Sequence, residues 1–183
     1  MLADTIPVGL REPVAAEDLG DAFAHVRQVW TVGPGGELVA NERPEPATAP
    51  EISVLISTYN RRDLLRAAVE SFCDQTIDPS RYEVVLVDDG SDESVVDEIV
   101  AEFADRLQIV GVVAGHAGRS AAKNLCVLLA RGPIVLFFDD DDRVVPDYLE
   151  RHLAGHAARP QEGVAILGHT DWADELDVTP LMH

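Results

Sequence analysis

From residue 51 onward, short apolar runs alternate with stretches in which apolar residues recur every three or four positions. The runs are 52–57, 84–87, 107–113 and 133–138, the last an unbroken PIVLFF. Continuous apolar runs of this length predict strands buried on both faces, as in a parallel α/β sheet. Between them, Leu64, Leu65, Ala68, Val69 and Phe72 predict a helix over 61–75, with Asn60 placed to cap it. Val95, Val96, Ile99, Val100 and Phe103 predict a second helix, capped by Ser91. A third is predicted over 119–130, stopped by Gly132 at the C′ position. A fourth has Pro146 in its first turn and runs to about residue 157. Residues 164–167 read as a fifth strand. Strand–helix alternation with short loops implies an α/β fold with a mostly parallel sheet and right-handed crossovers.

Residues 1–50 follow a different pattern. Apolar stretches at 25–32 and 37–40 flank the GPGG turn at 33–36, which predicts a hairpin. Residues 41–50 read as an extended linker. The expected organisation is an N-terminal extension and linker over 1–50, packed on a main domain over 51–183.

Composition narrows the function. The 183 residues suit one domain with an appendage, and 14 basic against 33 acidic residues give a net charge of −19. That balance argues against sequence-independent nucleic-acid binding, which needs clustered Lys and Arg. No apolar run approaches the roughly 18 residues that span a bilayer, so no transmembrane segment is expected. The N-terminus has neither the basic start nor the apolar core of a secretory signal. The two cysteines, Cys73 and Cys126, lie in apolar helical stretches without a CxxC pattern, and both read as buried free thiols. The compartment consistent with this is the cytoplasm.

Candidate chemistry sits where the strands end, because ligands of parallel sheets bind beyond the strand carboxyl ends. The first strand runs into Ser57, Thr58, Tyr59 and Asn60, offering hydroxyls and a flat ring on which a base could stack. The second runs into Asp88, Asp89 and Gly90, and a carboxylate there can accept from a base N–H or a ribose hydroxyl. After the third come His116, Gly118, Arg119 and Lys123, where a cation could meet a diphosphate. The fourth strand meets Asp139, Asp140, Asp141 and Asp142. Two such charges ~6 Å apart repel by roughly 0.7 kcal/mol in water, and by about 3 kcal/mol at an effective dielectric near 20. The tetrad therefore calls for solvation or a compensating cation, and a hard divalent ion takes oxygen ligands of this kind. If extended, Asp139 and Asp141 would face one side, with Asp140 and Asp142 on the other. His116 and His169 lack metal-ligand spacing and read as loop or core histidines. Neither GxxxxGK[ST] nor GxGxxG after the first strand is present.

Four segments in order, ISVLISTYNR at 52–61, YEVVLVDDGS at 82–91, GRSAAKN at 118–124 and IVLFFDDDD at 134–142, followed by Pro146, resemble the family 2 nucleotide-sugar glycosyltransferases. The likeness spans about residues 52–157. It implies a Rossmann-like, type-A glycosyltransferase fold and a hexosyltransferase-like enzyme. The implied reaction moves a sugar from a nucleoside-diphosphate donor, usually with inversion and with Mn²⁺ or Mg²⁺. Position by position, Ser57, Tyr59 and Asp89 resemble contacts to the nucleobase, and Thr58 is counted with them among the donor-binding residues. Asp140 resembles a ribose or donor-sugar contact, and Asp141 the metal ligand, with Asp139 beside it in a DXD pattern. Lys123 stands where the family often has arginine, keeping the charge without the planar fork.

In the family, the acceptor-activating base lies well beyond the metal motif. The later acids Asp171, Asp174, Glu175 and Asp177 stand too close to it. The expectation is that this chain is the donor-binding part, truncated before the acceptor half, with the base beyond its end. The acceptor could be a sugar, lipid, protein or small molecule. Acids at strand ends also fit a metal-dependent nucleotidyl or phosphoryl transferase, and the missing acceptor half also fits a non-catalytic nucleotide-binding module.

Overall fold

The computed structural model describes residues 26–32, 38–40, 48–161 and 163–172. Six strands form one sheet in the order β2-β1-β5-β4-β3-β6. They are β1 (Val26–Val32), β2 (Leu38–Ala40), β3 (Ile52–Thr58), β4 (Tyr82–Asp88), β5 (Gln108–Ala114) and β6 (Ile134–Asp139). The pairs β5–β4, β4–β3 and β3–β6 are parallel, while β1 is antiparallel to both β5 and β2. The predicted hairpin strands thus extend the sheet; the turn between them and residues 41–47 lie outside the described residues.

Among the described residues, four α-helices flank the sheet: α1 (Arg62–Ser71), α2 (Val96–Phe103), α3 (Arg119–Leu129) and α4 (Tyr148–Ala157). Alternate strand residues face opposite layers, as a period of two requires. Val54, Ile56, Val84, Leu86 and Phe138 pack with Leu65, Val69, Val100, Phe103 and Leu149 of α1, α2 and α4. Leu55, Val85, Val87, Val110 and Val112 pack with Ala122, Leu125 and Cys126 of α3.

This layering follows from the strand order. The chain runs outward from β3 through β4 to β5, then returns to lay β6 on the far side of β3. Reversing the direction of travel while keeping right-handed crossovers sends α3 to the opposite face. The reversal makes β3 and β6 the topological switch point of the sheet, the place where such sheets open a crevice for ligands.

Several expectations need correction. Residues 164–167 form no strand; they run as irregular chain. The run 133–138 is not buried on both faces, because β6 is an edge strand among the described residues and Phe137 is 53% exposed. Asn60 does not cap α1. It adopts φ 53° and its side-chain oxygen accepts from Asp92 N at 3.0 Å. Ser91 caps no helix either, since α2 begins only at Val96. Its hydroxyl donates to Asp88 Oδ1 at 2.7 Å, and its N–H donates to the same oxygen at 2.8 Å. Pro146 precedes α4 instead of lying in its first turn. Gly132 is not a helix stop: α3 ends at Leu129, and a Cβ on Gly132 would lie 2.9 Å from the backbone of Ile52 and Ser53. Cys126 is buried as expected, whereas Cys73 is half-buried; both are free. Asp174, Glu175 and Asp177 lie outside the described residues.

Candidate functional site

Parallel register brings the strand ends level. Thr58 pairs with Asp88 across β3–β4, and Ser57 with Asp139 across β3–β6. Polar groups far apart in sequence therefore meet along one edge of the sheet. The chain segment after the acids is held from the end of α1 and the turn that follows it, where Gln75 donates to Val145 O at 2.9 Å and accepts from Leu149 N at 3.0 Å. Ser71 Oγ accepts from Val144 N at 3.2 Å.

The four aspartates do not continue as an extended strand. Asp140 and Asp141 form a turn, with Asp142 N donating to Asp139 O at 3.4 Å, so the expected alternation of faces is lost. Each of the first three acids meets a donor from another element. Asp139 Oδ1 accepts from Lys123 Nζ of α3 at 3.0 Å, with Arg119 at 3.7 Å. Asp140, 5% exposed, accepts from Thr58 Oγ1 at 2.7 Å and from Arg61 Nη1 at 3.1 Å. Asp141 accepts from the same Arg61 Nη1 at 2.8 Å. The repulsion expected among the acids is thus offset by Lys123 and Arg61. Asp140, and then Asp141, hold the Arg61 guanidinium above its already high ordinary value. Asp142 is pushed upward, first by burial and then by Asp141 and Asp139.

A second group surrounds Asp89. This buried carboxylate accepts from Ala117 N at 2.8 Å and from Gly118 N at 3.0 Å. His116 Nδ1 lies 2.9 Å from Asp89 O and 3.1 Å from Asp89 Oδ2, so a proton on Nδ1 serves both acceptors. Two glycines make this contact possible. Gly90 has φ 81°, and a Cβ there would lie 2.6 Å from His116 N. Gly118 has φ 94° immediately before α3. Asp89 thereby ties the end of β4 to the loop after β5 and places a negative charge at the amino end of α3. The Tyr59 ring, 44% exposed, lies 4.6 Å from the His116 ring at 33°.

The structure thus brings Thr58, Asp139, Asp140, Asp141 and Lys123 together, with Tyr59 and Asp89 on the neighbouring loops. Ser57 lies in the same row, half-buried. Lys123 points its charge at Asp139. Arg61 was given no role by sequence reasoning, Asp88 was read together with Asp89 and turns instead to Ser91, and His116, read as a loop or core histidine, contacts Asp89 and Tyr59. Arg61 follows Asn60 at the start of α1, and its proximity to the acids depends on β3 and β6 being neighbours. A histidine without metal-ligand spacing gave no sequence signal of a ring partner.

A mostly parallel sheet whose polar groups collect at its switch point defines a ligand-binding α/β domain. Residues 53–179 match the family described as Glycosyl transferase family 2, and the chain belongs to that family. Validoxylamine A glucosyltransferase of Streptomyces hygroscopicus subsp. limoneus is 35% identical over 136 residues, covering 73% of this chain and 30% of the relative. The chain spans about 30% of the length of that relative. The crystal structure of S. aureus TarS 1-349 superposes with a TM-score of 0.55 and 26% identity, covering 59% of this chain and 32% of that one. The mannosyltransferase PcManGT from Pyrobaculum calidifontis, solved with GDP-Man and Mn²⁺, gives a TM-score of 0.54 and 26% identity over 64% of this chain and 35% of that one. The fold is therefore the Rossmann-like type-A glycosyltransferase fold expected from the motifs. Among the described residues, no helix is long and apolar enough to cross a membrane.

Proposed function

We propose that this chain forms the donor-binding part of a metal-dependent, inverting glycosyltransferase. The observation that carries this reading is the convergence of Thr58, Asp140, Asp139 and Lys123 at the switch point between β3 and β6. It is supported by the 26% identity to a mannosyltransferase that binds GDP-Man and Mn²⁺. The proposed donor is a nucleoside-diphosphate sugar. Tyr59 and Asp89, with Ser57 beside them, form the nucleobase side. Asp140 meets a ribose or donor-sugar hydroxyl and is positioned by Thr58. Lys123 supplies positive charge for the diphosphate.

The donor set fits a hard divalent ion in one particular way. No three His, Cys, Asp or Glu residues converge to enclose a metal among the described residues. Mg²⁺ and Mn²⁺ commonly take one or two protein carboxylates and complete their shell with water and substrate phosphates. In this reading Asp141, half-exposed at the turn, supplies such a ligand, with Asp139 two residues before it in the chain. When bound, the ion supplies charge neutralisation for the departing diphosphate. An acceptor oxygen attacks the anomeric carbon on the face opposite the diphosphate. The carbon–oxygen bond to the diphosphate breaks, and the acceptor proton passes to a base outside this donor site.

Calorimetry with UDP, GDP, ADP and CMP, each with and without Mn²⁺, tests the reading. One nucleoside diphosphate should bind in a Mn²⁺-dependent way, and Asp141→Ala should lose most of the metal-dependent increment. Tight triphosphate binding with pyrophosphate release would instead mark a nucleotidyl transferase. Robust sugar transfer to an acceptor by this chain alone would refute the donor-only role.

A further inference from the structure

Arg61 immediately precedes α1, on the loop that follows β3, yet its side chain reaches the acids that follow β6. A single nitrogen, Nη1, donates to Asp140 at 3.1 Å and to Asp141 at 2.8 Å. The two carboxylates differ sharply in setting, with side chains 7% and 47% exposed. Asp140 is also fixed by Thr58. Asp141 has Arg61 as its one hydrogen-bond partner among the described residues. From these contacts we infer that Arg61 is a built-in counter-cation, a positioning residue that holds Asp141 against Asp140 and competes with a divalent ion for the Asp141 carboxylate. This inference rests on the donor-site reading proposed above.

The physical basis is charge balance. Without a cation, neighbouring carboxylates repel, and Arg61 relieves that repulsion. A divalent ion on Asp141 places a second positive charge beside the guanidinium, so the two cations oppose each other. A nucleoside diphosphate changes the balance, because its negative oxygens accept both the ion and a guanidinium, whose planar donors suit phosphate. The ion alone therefore binds against Arg61, whereas ion and nucleotide together bind with mutual reinforcement. Such coupling is reciprocal: the factor by which nucleotide tightens Mn²⁺ equals the factor by which Mn²⁺ tightens nucleotide. The device keeps the site from filling with metal before the donor arrives.

The test measures Mn²⁺ affinity by electron paramagnetic resonance, alone and with saturating UDP or GDP, for wild type, Arg61→Gln and Arg61→Lys. Exposed ion pairs contribute modestly, so Arg61→Gln should bind Mn²⁺ alone about two- to fivefold more tightly. The tightening produced by nucleotide should shrink by a similar factor. Arg61→Lys keeps the charge and should stay near wild type in Mn²⁺ affinity. A purely architectural role for Arg61 would instead weaken Mn²⁺ binding in the glutamine variant. Wild-type Mn²⁺ binding combined with unchanged or weaker binding by Arg61→Gln overturns this inference and leaves the donor reading intact. A wild type that binds neither Mn²⁺ nor either nucleotide overturns both.

Discussion

The Thr58 hydroxyl and the Asp140 carboxylate lie 2.7 Å apart, both buried, joining the ends of two adjacent parallel strands. A hydrogen bond to a charged group contributes about 1.5–3 kcal/mol, and removing one partner leaves the other desolvated. Thr58→Val keeps the shape and removes the donor. Urea denaturation should show a loss of about 1.5–3 kcal/mol, together with weaker nucleotide binding. An unchanged midpoint would mean that Arg61 alone suffices to hold Asp140.

Lys123 reaches Asp139 from the second turn of α3 at 3.0 Å. Lys123→Met leaves Asp139 beside the other acids with only Arg119 at 3.7 Å. If Lys123 also serves the diphosphate, affinity for a nucleoside diphosphate should fall roughly tenfold, with little change for the nucleoside itself. Lys123→Arg should retain binding, since a guanidinium can engage phosphate through two donors. Equal losses for nucleoside and diphosphate would place Lys123 outside the phosphate site.

His152 packs against the Tyr148 ring at 4.7 Å and is 5% exposed. Burial, and then His156, hold its imidazolium below the ordinary histidine value. Below about pH 6.5 the unfolded chain therefore binds the extra proton more readily than the folded one. Stability contributed by neutral His152 is present above that pH and is lost as pH falls. His152→Phe removes the titrating group at similar volume. Its melting temperature should fall less than wild type between pH 7 and pH 5.5, and parallel curves would contradict the assignment.

The Tyr82 hydroxyl donates to Phe72 O at 2.7 Å inside the core, and burial pushes its ionisation up to about 12. Burial likewise pushes the Cys126 thiol up to about 12. For both groups the folded state keeps its proton to higher pH than the unfolded state does. Stability is therefore full below the ordinary values, near 9 for the thiol and 10 for the phenol, and falls as pH rises towards 12. The phenol alone accounts for roughly 2–3 kcal/mol across its window. Tyr82→Phe should be less stable at pH 7 by about 1–2 kcal/mol, because Phe72 O loses its donor. It should also show a shallower alkaline decline in melting temperature. A decline as steep as that of wild type would remove Tyr82 as its source.

Gly111 sits in β5 beneath α2, and a Cβ there would overlap Val96 Cγ1 and lie 2.7 Å from Val100 Cγ2. Branched valines cannot swing aside freely, so Gly111→Ala should cost about 1–3 kcal/mol through overpacking. The double variant Gly111→Ala with Val96→Ala should recover part of the loss, measured by urea denaturation.

The helices and central strands were readable because their burial follows local periodicity. Leu65, Val69, Val100 and Leu125 lie in the core at the positions their spacing demands. Residues 164–167 show where this logic fails, since an apolar run becomes a strand only if a neighbouring strand is present to pair with it. Asn60 and Ser91 show a different failure. Both are good cap residues, but Asn60 is bonded to Asp92 from a distant segment, and Ser91 is bonded to Asp88 three residues before it.

The linear order of amino acids was enough to indicate that polar groups gather at strand ends and that four clustered acids call for solvation or a compensating cation. It was also enough to tie the chain to a family through four ordered motifs. Which cation meets which acid depended on folding in three dimensions. Arg61, on the loop after β3, and Lys123, in the second turn of α3, lie 79 and 16 positions from their first acidic partners, which reach them because β6 is placed beside β3. Apolar periodicity acts over a few residues and is written locally. Ion pairing depends on distance in space, and that distance is set by the order and register of the strands.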